Sequence, residues 1–227
     1  MSVERPEKAV VLLSGGVDST TLLVYLSSRL RIPEIRAISF RYGQKHVCEV
    51  AMAEWQAQEA GVKEHRIVDV PHVGALTQGG SALTDPSIEI PTLQQLSDAE
   101  KTQPPTYVPN RNMMLLSMAA AYAESTQTEA VYYGAQAQDE YGYWDCTTDF
   151  LERMNSTLAL NRKVAVRVVA PFMSWRKADI IRLGDELGVD YAHTWTCYRG
   201  GDQSCGTCPS CVERERAFVE ARREPTI

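Results

Sequence analysis

Two groups of residues in this 227-residue chain have the types and spacing to do chemistry. The first is Ser14-Gly15-Gly16-Val17-Asp18-Ser19. It follows the short apolar run 9–13 and precedes a stretch with Leu22, Leu23, Leu26 and Leu30 at helical spacing. Two glycines let a backbone turn sharply and come close to a ligand. A helix that starts there points its free N–H groups and positive dipole end at the same spot. Ser14 and Ser19 add hydroxyls, and Asp18 can fix the loop or help to hold Mg²⁺. The hexapeptide therefore suits a pyrophosphate group. It matches neither G-x-x-x-x-G-K-[ST], since no lysine follows the glycines, nor G-x-G-x-x-G.

The second group is Cys197-x7-Cys205-x2-Cys208-x2-Cys211. Four thiolates close a tetrahedral zinc shell at about 2.3 Å each, with no position left open, so the expected role is structural. Gly200, Gly201 and Gly206 let the chain wrap around the ion. Binding would stabilise a segment with little apolar core of its own. An iron–sulfur cluster and free thiols stand as alternatives. The C-x2-C-x2-C run also begins a ferredoxin pattern, but the position of the fourth ferredoxin cysteine is Glu215. Cys48 and Cys146 stand apart, and Cys48 reads as a helix-packing thiol.

The elements that must position these groups follow from periodicity. Segments 9–13, 36–43, 65–71, 130–134 and 166–172 read as strands. Helices are expected at 20–30, 46–60, 111–125, 149–160 and 174–187. This alternation predicts an α/β fold: a mostly parallel sheet with helices on both faces. Residues 1–193 form the body. Residues 72–106, with Gly79, Gly80 and several prolines, break the rhythm and read as a lid or mobile loop. Residues 194–227 form a small metal-stapled appendage. Its end, VERERAFVEARR, reads as a solvated helix laced with i,i+4 pairs between Glu213, Glu215, Glu220, Glu224 and Arg214, Arg216, Arg222, Arg223.

Composition narrows the function classes. Hydrophobic residues at 44% and charged residues at 23% match a folded soluble domain and argue against wholesale disorder. No apolar run approaches the roughly 20 residues of a membrane span, and the polar start predicts a cytoplasmic protein rather than a secreted one. A formal charge of −6 argues against a nucleic-acid coat. A zinc-stabilised RNA-binding module, permitted by the cysteine tail and its arginines, is the non-enzymatic rival.

The hexapeptide resembles the signature of the PP-loop, or N-type, ATP pyrophosphatases. The resemblance implies the fold of adenine nucleotide alpha hydrolases, also called HUP-like. It also implies ATP as the bound nucleotide, cut between its α- and β-phosphates over Leu13, Ser14, Gly15, Gly16, Val17, Asp18, Ser19 and Thr20. A basic residue should then begin a later helix, and Lys177 in R-K-A-D-I at 176–180 fits. A wider resemblance spans almost the whole chain. F-R-Y-G-Q-K-H at 40–46, Y-V-P-N-R-N at 107–112, G-Y-W-D-C at 142–146, T-C-Y-R-G-G at 196–201 and the four cysteines are similar to the QueC family, the 7-cyano-7-deazaguanine synthases.

That resemblance implies an ATP-dependent carbon–nitrogen ligase of queuosine biosynthesis, acting on 7-carboxy-7-deazaguanine with ammonia, and a homodimer. Asp18, Lys177 and Arg111 are the implied catalytic residues. Tyr42, Gln44, Arg111, Asn112, Asp139, Tyr143 and Asp145 are the implied substrate contacts. Arg111 would meet a phosphate or carboxylate, Tyr143 would stack on the ring, and Asp145 would accept its N–H groups; His46 reads as structural. Three positions depart from the family pattern: Asn110 for glycine, Trp144 for proline and Thr147 for a basic residue. They fall where the substrate is expected. Alternatives are a relative that stops at the amide, one that joins the acyl group to another amine, on a protein for example, and a tRNA-modifying PP-loop enzyme.

Overall fold

In the computed structural model, residues 5–45, 48–137 and 142–222 are described; His46, Asp139, Arg223 and Glu224 lie outside them. Strands β1 (Lys8–Leu12), β2 (Glu34–Arg41), β3 (Glu64–Asp69), β4 (Ala130–Tyr132) and β5 (Arg167–Val169) form one sheet in the order β3-β2-β1-β4-β5. All four pairings are parallel. The order runs outward in both directions from β1, so the carboxyl ends of β1 and β4 flank the switch point where α/β proteins bind ligands.

β1 shows why the centre of the sheet is apolar throughout. Ala9, Val11 and Leu13 face one way and Val10 the other, and each is at most 1% exposed. A strand covered on both faces must be apolar at every position. The first face packs on helix α1 (Val17–Val24, continued by a π-helical turn to Arg29) through Leu22, Leu23 and Leu26. It also meets α2 (Cys48–Glu59) through Ala53 and Ala57. The second face meets α3 (Pro71–Leu76), α5 (Arg111–Ser125) and α6 (Thr148–Leu158) through Val73, Leu116, Ala119, Phe150 and Met154. The expected helices on both faces are therefore present.

Segment 72–106 holds secondary structure that its composition does not announce. It holds most of α3 and a short helix α4 (Asp98–Thr102), and it buries Leu83 and Ile90. Its local hydrogen bonds come from serines and aspartates rather than from periodic apolar faces. Asp85 accepts from the N–H groups of Gly79 and Ser87, and Ser97 with Glu100 forms a capping box. Such polar turns leave little periodicity to read.

Helices α7 (Lys177–Leu187) and α8 (Pro209–Ala221) pack on each other through Ala178, Ile181, Ala217 and Ala221. The expected i,i+4 lacing of the final helix does not form among the described residues. Among the described residues, the ion pairs of α8 run to other elements: Glu220 to Arg176, Glu213 to Lys177, and Arg222, its C-cap, to Asp185. The helix lies on the body, so its charges find partners there.

Candidate active site

The phosphate loop leaves β1 and enters α1 through Gly15 at φ +82°. A Cβ there would lie 2.0 Å from the backbone oxygen of Glu49. Glycine is thus required twice, by conformation and by contact. Gly15→Ala is expected to destabilise the protein by more than about 1 kcal/mol from the left-handed backbone alone, with the clash added. Denaturant unfolding of the variant checks this, and an unchanged midpoint would contradict it. Ser14 and Ser19 tie the ends of the loop. Their hydroxyls lie 3.0 Å apart, and Ser14 N–H donates to Ser19 Oγ. The N-cap of α1 is Gly16, so no side chain covers the first amides of the helix.

Those amides open on a cavity of about 690 Å³. Its walls include Ser14, Asp18 and Ser19 of the loop, Phe40 of β2 and Tyr42 just after it, Arg111 and Asn112 of α5, Tyr143, Lys177 of α7, and Glu213 and Arg214 of α8. Lys177 stands at the start of α7, 7% exposed, as expected for the first turn. Its Nζ lies 3.6 Å from Asp18 Oδ2 and 3.2 Å from Glu213 Oε2. Burial raises the pKa of Asp18; Lys177 pulls it down and Glu213 pushes it up, and burial wins. Asp18 Oδ1 is buried with no hydrogen-bond partner. An orphaned carboxylate oxygen beside uncapped amides fits a site completed by a nucleotide phosphate and its divalent cation.

Helix α5, which brings Arg111 and Asn112 to the cavity wall, begins with Asn110 in the left-handed conformation, φ 56°, which asparagine tolerates in place of glycine. Arg111 Nη1 donates to Tyr42 Oη at 3.3 Å, and Nε to Asn112 Oδ1 at 3.3 Å. Among the described residues no carboxylate forms an ion pair with Arg111, whose guanidinium lies 5.9 Å from the centroid of the Tyr42 ring. Tyr143 lines the same region and shares a hydrogen bond with Thr106 at 3.1 Å. Tyr42 is 4% exposed, and burial raises its pKa.

Several residues expected at the site sit behind it. Gln44 does not line the cavity. Its amide braces the strand end, accepting from Tyr42 N–H at 2.7 Å and donating to Phe40 O at 3.0 Å and Glu49 Oε1 at 3.2 Å. Asp145, 2% exposed, caps α5 instead of facing a ligand: Oδ2 accepts from Asn112 N–H at 2.9 Å. Burial raises its pKa against that hydrogen bond and the nearby Arg111. Thr20, fully buried, lies beneath the loop, and Gly15 shapes the turn without lining the cavity. Asn112 reaches the cavity, but its amide donates to Cys146 Sγ at 3.0 Å.

The departures Trp144 and Thr147 are likewise framework. Trp144 Nε1 donates to Tyr107 Oη at 2.6 Å, the oxygen that also accepts from Asn110 N–H at 3.1 Å. Thr147 caps α6, accepting from Phe150 N–H at 3.1 Å. None of Asn110, Trp144 and Thr147 lines the cavity.

The four cysteines converge as their spacing predicts. The sulfurs of Cys197, Cys205, Cys208 and Cys211 all lie within 4.8 Å of one another, and Cys205 and Cys211 are 3.9 Å apart. A tetrahedral shell with 2.3 Å bonds has edges of about 3.8 Å, so the set can hold a metal ion. Backbone N–H groups already point at the sulfurs, Cys205 to Cys197 at 3.4 Å and Cys208 to Cys205 at 3.3 Å.

This segment is interlocked with the body. Trp195 N–H donates to Gly15 O at 2.9 Å, inside the phosphate loop. Leu93 N–H donates to Thr207 O at 3.1 Å, and Arg199 to Ile90 O at 3.1 Å, so segment 72–106 is anchored on the cysteine knot. Leu93, Leu96 and Thr106 from that segment, with Trp195 and Tyr198 from the knot, complete the cavity wall. Glu49, Glu213 and Arg214 were not singled out for the site by the sequence. Only tertiary packing brings them there, and no local spacing signals it.

A parallel sheet with this order, a glycine loop between β1 and α1, and uncapped helix amides facing a lysine on a later helix together define a PP-loop nucleotide-binding protein. The chain belongs to the QueC family: the model described as "Queuosine biosynthesis protein QueC" matches residues 8–222. The chain is 45% identical over 225 residues to a protein named 7-cyano-7-deazaguanine synthase from Thermoplasma acidophilum, covering 97% of this chain and 91% of that one. A protein of the same name from Nostoc punctiforme is 42% identical over 219 residues, covering 94% and 95%. Among solved structures, the U34-tRNA thiolase NcsA from Methanococcus maripaludis, described with its 4Fe–4S cluster, shares the fold. It has a TM-score of 0.50 and 15% identity, over 93% of this chain and 64% of that one. No helix of the described residues is long and apolar enough to cross a membrane.

Proposed function

We propose that this chain is an ATP-dependent carbon–nitrogen ligase that converts 7-carboxy-7-deazaguanine, with ammonia, to the amide and then to the nitrile 7-cyano-7-deazaguanine. The observation that carries the reading is the joining in one cavity of two cationic groups, Lys177 beside the phosphate loop and Arg111 at the start of α5. A carboxylate is a poor electrophile. Transfer of AMP to it creates a good leaving group, and ammonia displaces that group to give the amide. A second transfer, to the amide oxygen, lets the amide collapse to the nitrile. Each round releases AMP and pyrophosphate.

The protein's part is positioning and charge stabilisation. The loop amides and the Lys177 ammonium hold the departing pyrophosphate, Asp18 orients Lys177 and offers an oxygen to Mg²⁺, and Arg111 seats the acceptor carboxylate. Tyr143 gives a face to the deazaguanine ring. Zinc is the ion we assign to the four cysteines. Its closed thiolate shell leaves no open position for chemistry, and it would act by fixing the chain around it.

Arg111→Gln removes one member of a charge-assisted pair with the acceptor carboxylate, a loss of about 2–5 kcal/mol in comparable pairs. The KM for the acceptor is therefore expected to rise about 30-fold or more, while the KM for ATP stays within about threefold. Steady-state kinetics with each substrate varied separates these. Equal effects on both would remove Arg111 from the acceptor end.

A further inference from the structure

Helix α8 carries a cation that the roles above leave unused. Arg214 lies one turn beyond the metal-knot residue Cys211, half-buried in the cavity wall. Its Nη1 donates to Thr194 Oγ1 at 2.8 Å and Thr196 Oγ1 at 3.0 Å, and its Nη2 to Tyr191 O at 3.0 Å. The guanidinium lies 5.1 Å from the centroid of the Phe218 ring. All these partners are neutral, and among the described residues no carboxylate forms an ion pair with it. A guanidinium has five N–H donors, so two remain after these three bonds.

The charge balance around the loop gives that cation a purpose. Lys177 faces two carboxylates, Asp18 and Glu213. Those three groups alone sum to −1, an unfavourable surrounding for a polyanion. Arg214 brings the sum to zero, and the amide end of α1 adds partial positive charge. The placement is also fixed mechanically. Trp195 ties the 191–196 segment to Gly15 O, and Arg214 holds that same segment through Thr194 and Thr196. The guanidinium is thereby tethered to the loop from one side and to the cysteine knot from the other.

We propose that Arg214 is the second cation of the phosphate site, binding the pyrophosphate end of the triphosphate, and that the cysteine knot presents it there. The proposal rests on the loop being a triphosphate site. A forked guanidinium suits two phosphate oxygens at once, which an ammonium does not.

Titration calorimetry with inorganic pyrophosphate and Mg²⁺ tests this on the metal-loaded protein. Arg214→Gln is expected to weaken pyrophosphate binding more than tenfold, and Arg214→Lys, which keeps charge but loses the fork, three- to tenfold. The double variant Thr194→Val/Thr196→Val, which removes two of the bonds that place the guanidinium but leaves its charge, should weaken pyrophosphate binding clearly less than Arg214→Gln does. Wild-type affinity in Arg214→Gln, or equal losses in the valine double variant, would overturn the proposal and reduce Arg214 to a brace. Should Arg214→Gln not fold, Arg214→Lys decides alone, and unchanged affinity there overturns it. Failure of the wild-type protein to bind pyrophosphate would instead overturn the phosphate-loop reading on which this one stands.

Discussion

Lys177→Met is expected to lower the rate of pyrophosphate release by about two to three orders of magnitude, the usual loss when one preorganised stabilising group is removed from a reaction centre. The effect should fall on kcat more than on the KM for the acceptor, because Lys177 pairs with Asp18 of the phosphate loop, whereas Arg111 bonds to Tyr42 and Asn112. The ammonium sits between Asp18 and Glu213, so its loss leaves two carboxylates facing each other without a counter-charge. Glu213 is partly exposed, at 37%, so solvent screens part of that repulsion, and a raised pKa lets Asp18 take up a proton. The fold should therefore survive with a modest loss of stability. Asp18→Ala, which removes the orienting partner instead, should likewise abolish pyrophosphate release without unfolding the chain. A pyrophosphate assay beside a thermal melt checks both. Turnover within tenfold of wild type in either variant would remove that residue from the machinery.

Loss of the metal is the second large effect. Cys208→Ser takes one ligand from a shell that would otherwise close the chain around an ion. Cys208 is fully buried and is also the N-cap of α8. The knot anchors segment 72–106 through Leu93 and Arg199, the phosphate loop through Trp195, and α8 with Glu213 and Arg214. Disorder in it should therefore spread to three walls of the cavity. Structural zinc sites contribute about 10 kcal/mol or more of apparent binding energy in small peptides, and 1 kcal/mol moves the melting temperature of a domain this size by about 2–4 °C. A fall of at least about 10 °C is expected, with metal content dropping from one ion per chain towards none. Hydrogen exchange should quicken at Leu93, Trp195 and the first turn of α8. A variant that melts like wild type, or that keeps protection at those three places, would show that the knot does not organise the site.

Much of the fold is legible in the sequence because the sheet is buried on both faces. Apolar runs such as 9–13, short and rich in valine, favour central parallel strands over buried helix, and the loop between β1 and α1 announces itself by its glycines. The four cysteines are equally plain, since their spacing reflects a local wrap. Legibility fails where long-range packing decides the outcome. Gln44 and Asp145 are polar residues in motifs that flank the cavity. Whether such a group faces the ligand or braces the backbone behind it depends on which N–H groups need a partner, here those of Tyr42 and Asn112. Arg214 shows the converse. Its alternation with glutamates looks like a solvated helix face until α8 is laid against α7 and the 191–196 segment. Trp144 and Asn110, read singly, suggest an altered substrate pocket. The structure joins them at Tyr107 Oη, where each donates a hydrogen bond to the same oxygen.

The central claim is that the loop Ser14–Ser19 directs transfer of AMP to a deazaguanine carboxylate held in the same cavity. Mass spectrometry of the products formed from 7-carboxy-7-deazaguanine, ATP, Mg²⁺ and ammonia, with AMP counted alongside, tests it most directly. The account predicts 7-cyano-7-deazaguanine with two AMP released per nitrile. Accumulation of the amide with one AMP would confine the enzyme to the first round. An unaltered acid with no AMP formed would contradict the account.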